Sequence, residues 1–251
     1  LAILCNVDRM TEDLQIWTTS EFNFMDLSES HSRSSIIMPH KKNPYSLTFV
    51  RGVAREMIGR LAGTAALQST PSGQVDNRIF TYSMVPQGLI QTKKVLKLLS
   101  ATVSGLTVNK DEMNLAALKS LGGSTDLAEE IMTIYDIDPQ TAHSIVGRAV
   151  RSATQMGKGL EADLINSAAK DIINRSLNIS DDFIKKIMDP KAIVATRTGP
   201  GGSSLKSVQE MITTFRDLVY ECNQWFVTEK SRLKEAEKKL IEKVTALCQC
   251  T

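Results

Sequence analysis

The residues best suited to chemistry lie close together in Ser34-Ser35-Ile36-Ile37-Met38-Pro39-His40-Lys41-Lys42-Asn43-Pro44. Lys41 offers a compact positive charge, and Asn43 an amide that orients a carboxylate. Ser35 is a proton-transfer oxygen once something lowers its pKa. Together they suit work on an anionic substrate. Taken alone, a serine-rich loop ending in lysines is a solvated surface loop, so the elements around it must decide. His31 and His40 flank the set, whereas His143 falls in a helical stretch and reads as structural.

Pro39 and Pro44 disfavour continuous helix, and the serines before them favour turns. The spacing therefore predicts an irregular, exposed backbone between Phe22 and Asn43, with a site loop over 28–44. A helix precedes it, from Leu1 to about Trp17, with Leu4, Val7, Leu14 and Ile16 on one stripe. A long helix follows from Ser46 to about Gln68, apolar at Leu47, Val50, Val53, Ala54, Met57, Ile58, Leu61, Ala62 and Ala65. Its small residues, among them Gly52, Gly59 and Gly63, allow close helix approach inside a bundle. After a break at 69–73, a second long helix is predicted from about Asn77 to Ser104, kinked at Pro86. It carries Leu89, Ile90, Val95, Leu96, Leu99 and Val103.

Beyond Asn109 the expected helices shorten to Lys110–Leu118, Thr125–Tyr135, Pro139–Met156, Glu161–Leu177, Ser180–Met188 and Pro190–Arg197. Asp138-Pro139 and Ser180-Asp181-Asp182 are start signals. Gly199-Pro200-Gly201-Gly202 reads as a structural turn, because a phosphate loop would need a preceding strand and a lysine-serine ending. A final helix is predicted from about Ser203 to Thr245, apolar at Leu205, Val208, Ile212, Phe215, Val219, Cys222 and Phe226, and mostly charged over Glu229–Lys243. Strand signals are almost absent. The expected class is all-α, with a bundle portion over 1–121 and a small helical domain over 122–251.

Composition sets bounds on function. With 251 residues, 42% hydrophobic and 23% charged, the chain has the profile of an ordinary soluble globular protein. A net charge of +2 gives no electrostatic case for nucleic acid. No apolar run has membrane-spanning length, and the opening residues do not form a secretory leader, so a cytoplasmic location is expected. The four cysteines lack zinc-site spacing, which predicts no metal and reduced thiols.

The loop resembles the Gly-Ser-Ser-x-Met-Pro-x-Lys-x-Asn-Pro signature of the aspartase/fumarase lyase superfamily. With Met38-Pro39 as anchor, Lys41, Asn43 and Pro44 fall in register. Ser34 replaces the glycine and Ile36 the second serine. The resemblance implies that Ser35 abstracts a proton beside a carboxylate, with Ser34, Met38, Lys41 and Asn43 on the substrate. Thr11 through Phe22, Thr125-Asp126-Leu127-Ala128, Ala142 through Val150, and Asp189 through Gly202 are similar to the argininosuccinate lyase branch. That branch implies a homotetramer without cofactor that releases fumarate from a small dicarboxylate substrate in arginine biosynthesis.

The sequence opens inside an expected helix and lacks the superfamily's other signature regions. The resemblance therefore implies a C-terminal portion of such an enzyme: the second half of its central bundle and its small C-terminal domain. The stretch Pro71 through Tyr82 lacks the Tyr-Asn-Lys-Asp-Leu-Gln-Glu-Asp-Lys pattern of argininosuccinate lyases. Another N-substituted aspartate, or a non-catalytic relative such as a lens crystallin, are the alternatives.

Overall fold

The computed structural model describes residues 1–35, 37–38, 41–69 and 79–249. The chain divides into two compact units, Leu1–Ala116 and Ala117–Thr251. Ten α-helices are described, with a short 3-10 turn (Glu29–His31) and two short two-stranded ribbons beside them, so the class is all-α.

In the first unit, α1 (Ala2–Trp17) packs on α2 (Tyr45–Ala66), which packs in turn on α3 (Ile79–Ser104). Leu4, Val7, Thr11 and Leu14 recur at three- and four-residue spacing and form the buried face of α1. Thr11 is tolerated there because its hydroxyl donates to the Val7 carbonyl at 2.6 Å. Ile16 does not join this stripe. It stands at 42% exposure, rotated away from Leu14 by the helical period.

The facing stripe of α2 is Leu47, Val50, Val53, Ala54 and Met57. Each large apolar side chain so buried contributes about 1.5–3 kcal/mol. Beyond Met57 the expected stripe is left open among the described residues, with Ile58 and Leu61 both 51% exposed. On α3 burial is confined to the last turns, at Val95, Leu99 and Thr102, while Leu89 and Ile90 stay exposed. The helix assignment runs through Pro86. The break expected at 69–73 and the start at Asn77 fall largely outside the described residues.

Between α1 and α2, Arg51 sets the relative rotation of the helices. Its guanidinium donates to Asp8 at 3.2 Å, to Gln15 at 3.0 Å and also to Glu12, using the planar fork that a lysine lacks.

The segment expected to be irregular contains paired strands. β1 (Met25–Asp26) lies antiparallel to β4 (Thr107–Val108), and β2 (Arg33–Ser34) to β3 (Lys42–Asn43). Two-residue strands are too short for an alternation to be visible, and β4 is remote in sequence from β1. The Asn109 amide closes the first ribbon by donating to the Asn23 carbonyl at 2.8 Å. Asn23 turns the chain there with φ of 49°, which asparagine tolerates better than most residues.

The second unit holds its own core. α5 (Ser124–Tyr135), α6 (Pro139–Met156), α7 (Ala162–Ile173) and α8 (Asp181–Ile187) enclose Leu127, Ile131, Ile145, Ile165 and Ala169, all without solvent exposure. Their starts follow the expected chemistry. Asp138 accepts from the Thr141 amide at 3.0 Å with Pro139 in the first helical turn, and Ser180 accepts from Phe183 at 3.3 Å.

α7 is shorter than its apolar pattern predicts. Asn174 adopts φ of 54° and ends it, yet Leu177 and Ile179 still reach the core from the following non-helical segment. α4 (Lys110–Lys119) and α9 (Pro190–Thr196) complete the short elements, with Asp189 capping α9. The glycine turn then leads to α10 (Leu205–Gln249), which extends past the expected Thr245. A Cβ on Gly202 would overlap the Arg197 carbonyl oxygen, so no other residue fits that turn.

Candidate active site

The candidate residues stand on a β-hairpin in the first unit. Arg33 faces Asn43 and Ser34 faces Lys42 in the ladder, and the Ser35 amide extends it by donating to the Lys41 carbonyl at 3.1 Å. Side chains alternate along a strand, and directly opposed residues share a face. Arg33, Ser35, Lys41 and Asn43 therefore belong to one face. Ser34 and Lys42 belong to the other. The two adjacent serines are thus set apart by the pleat, which proximity in sequence does not reveal.

The hairpin end turns back on Ser35. Its Oγ accepts from the Ile37 amide at 3.3 Å and from the Met38 amide at 3.1 Å, while the Lys41 amide donates to the Met38 carbonyl at 2.9 Å. Two N–H groups thus converge on this oxygen, in the local turn that a serine makes with amides two and three residues on. Met38 contributes through its backbone, and its side chain is 40% exposed. Pro39, His40 and Ile36 lie outside the described residues.

The two lysines have different surroundings. Lys42 reaches Asp26 of β1 with Nζ at 2.9 Å and 3.1 Å from the two carboxylate oxygens, tying one ribbon to the other. Lys41 has no ion pair among the described residues and is exposed. Its ammonium is available to a ligand. Asn43 is half-buried at the end of β3, directly before Pro44 and the first turn of α2.

Sequence reasoning missed Arg33 and Asp26. The guanidinium carbon of Arg33 lies 5.7 Å from the ring centroid of Tyr45, held over the aromatic face. The available signal was the two-residue spacing of Arg33 and Ser35, legible only once a strand is assumed. His31 is occupied locally, with its Nδ1 at 3.0 Å from both Ser28 Oγ and Ser30 Oγ. His143 is exposed on α6. Among the described residues no group of histidine, cysteine or acidic side chains could hold a metal, and no helix is long and apolar enough to cross a membrane.

Residues 2–59, which include the whole hairpin, match the family described as Lyase. The argininosuccinate lyase of Methanocorpusculum labreanum is 32% identical, over 84% of this chain and 43% of its own length. That of Methanococcoides burtonii is 28% identical, over 86% of this chain and 44% of its own. The chain spans about half the length of the curated relatives it matches. In structure it is similar to an EDDS lyase in complex with formate, at 27% identity and a TM-score of 0.85 over 96% of this chain and 49% of the other. An EDDS lyase variant with bound fumarate also gives a TM-score of 0.85, at 26% identity, with the same coverage of the two chains. A class II fumarase from Schistosoma mansoni shares the fold at 19% identity and a TM-score of 0.56, over 75% of this chain and 36% of its own.

The all-helical fold, the family match and these relatives place the chain in the aspartase/fumarase lyase superfamily. Within it, this is an argininosuccinate-lyase-like member.

Proposed function

We propose that this chain carries the base-bearing half of a carbon–nitrogen lyase that eliminates fumarate from argininosuccinate or a related N-substituted aspartate. The observation that supports this most is Ser35, whose oxygen receives two backbone N–H groups and sits across the hairpin from Lys41. As alkoxide, Ser35 takes a proton from the carbon beside a carboxylate. The C–H electron pair moves into that carboxylate as an aci-carboxylate. Lys41 and Asn43 meet the charge that builds there. Return of those electrons forms the carbon–carbon double bond and breaks the carbon–nitrogen bond, and the amine leaves with a proton from a second group. Met38 would line the same site through its backbone, whereas Ser34, expected there from the resemblance, belongs to the opposite face of the hairpin.

In this reading the first unit belongs to the central bundle and the second is the small C-terminal domain. The assembled enzyme is a cytoplasmic homotetramer of arginine biosynthesis that uses no cofactor. Exposed Ile58, Leu61, Leu89 and Ile90 support self-association, because a monomer leaves these apolar faces of α2 and α3 in water. Sedimentation at micromolar concentration should give a multimer, and a clean monomer would count against the assembly.

The activity test is the ultraviolet absorbance of fumarate, run with argininosuccinate and then with other N-substituted aspartates. Absence of fumarate from every substrate in the assembled protein would overturn the reading.

A further inference from the structure

Along α10, the strict seven-residue series Leu205, Ile212, Val219, Phe226, Leu233, Leu240 and Leu247 is apolar at every step, from the first residue of the helix to its last turn. Each of these side chains is between 44% and 73% exposed. A straight helix repeats every 3.6 residues and drifts off such a series, whereas a strict one marks the seam of a coiled coil. With this series at position a of the heptad, the d positions are Val208, Phe215, Cys222, Glu229, Ala236 and Lys243. At their exposures the a residues and Phe215 present roughly 900 Å² of surface, against about 800 Å² that one partner brings to a stable interface. The pattern fits another helix with a matching seam.

Charge decides which helix and which direction. A parallel pair of α10 helices in register would oppose Glu229 to Glu229 and Lys243 to Lys243 in its d layers, which like charges disfavour. An antiparallel pair instead sets each a residue beside a d residue of the other helix. With the two helices fully overlapped, Leu233 lies beside Cys222 of the second copy, Leu240 beside Phe215 and Leu247 beside Val208. On the flanks Arg216 meets Glu237 and Trp225 meets Arg232, each twice by the two-fold symmetry. Neither Arg216 nor Glu237 has an ion pair among the described residues. A slip of one heptad one way sets Arg216 against Lys230, and the other way Lys230 against Lys230 and Arg232 against Arg232. Glu229, beside Phe226, stays neutralised by Arg232 of its own helix at 2.8 Å, and Lys243, beside Ile212, holds its ammonium in water at the end of its stem. We propose that α10 pairs antiparallel with α10 of a second copy of this chain, over its full length and in this register. The pairing is independent of the lyase reading.

The experiment is disulfide trapping of a Leu233→Cys variant at micromolar concentration under copper–phenanthroline, with the joined peptides identified by mass spectrometry. Position 233 is exposed in the single chain, so the substitution leaves the fold intact. Within one helix it stands roughly 16 Å from Cys222, too far for a disulfide. The expected product is a covalent dimer joined between position 233 of one copy and Cys222 of the other. A chain that stays uncross-linked, its α10 covered by another segment or by nothing, would overturn the proposal. So would a Cys222–Cys222 dimer in the unaltered protein, which only parallel pairing gives. Arg216→Glu, added to Leu233→Cys, sets two acids together on each flank and should slow cross-linking about 3- to 10-fold, and Glu237→Arg should restore it. An unchanged rate in the first, or no recovery in the second, would also overturn the pairing.

Discussion

The hairpin of β2 and β3 and the core of α5 to α8 are held by opposite means. In the core, Leu127, Ile131, Ile145 and Ile165 are completely buried, and dispersion plus removal of apolar surface from water hold the helices together. The hairpin has no buried side chain among its described residues. It is held by ladder hydrogen bonds, the two amides on Ser35 and the Lys42–Asp26 ion pair. A packed core resists local opening, whereas an exposed polar ribbon opens at small free-energy cost. The groups proposed to react stand where the chain can reorganise around a ligand, and stability comes from elsewhere.

The sharpest way to break this contrast is within the hairpin itself. Ser35→Ala should lower fumarate formation by about 10²- to 10⁴-fold, the usual range for a removed general base, while substrate binding holds. Ser34→Ala should remain near normal, because its side chain belongs to the other face. A dead Ser34→Ala with an active Ser35→Ala would show the face assignment to be inverted. Lys41→Ala should both raise KM and slow turnover, since the charge meets the carboxylate before and during reaction.

On the core side, Ile145→Ala should destabilise the protein by about 2–5 kcal/mol, read as a lower denaturant midpoint at constant slope. A loss below about 1 kcal/mol would mean that the site collapses around the cavity and that the core is looser than its burial implies.

A smaller effect is expected at Lys42. Its pair with Asp26 is partly exposed on both sides, at 38% and 61%, and such pairs contribute about 0.2–1 kcal/mol. Lys42→Ala should therefore slow turnover only a few-fold, and exchanging the two charges in a Lys42→Asp, Asp26→Lys double variant should recover it. A loss as large as that of Lys41→Ala would assign Lys42 to the substrate.

The smallest effect concerns a cap in the second unit. The Thr141 side chain, and then its amide, hold the Asp138 carboxyl below its ordinary value. A depressed carboxylate pKa adds stability above the unfolded value of about 3.9, and that stability is lost as pH falls through the folded value. Asp138→Ala should melt slightly below the unaltered protein at pH 7, and the gap should close in acid. A gap that widens on acidification would contradict the cap.

Asp138-Pro139 and Ser180 illustrate what sequence reveals well. A capping side chain reaches an amide three residues on, so the whole interaction lies within one short segment. Apolar spacing located the helices for the same reason, since helical hydrogen bonds span four residues. Ile16, Ile58 and Leu61 show the limit: their spacing fits a helix, but exposure depends on what packs against them. α7 likewise ended early at Asn174, although its apolar pattern continued into a non-helical approach to the core.

By itself the sequence determined the helical class, most helix starts, and the segment that holds Ser35, Lys41 and Asn43, because each depends on residues near one another in the chain. Tertiary structure decided the hairpin face and its supports. Met25 pairs with Val108, Asp26 holds Lys42 and Arg33 stands over Tyr45. These are contacts between residues that no local periodicity links, made only when the chain folds back upon itself, and the pairing of β2 with β3 sets Ser35 and Ser34 on opposite faces.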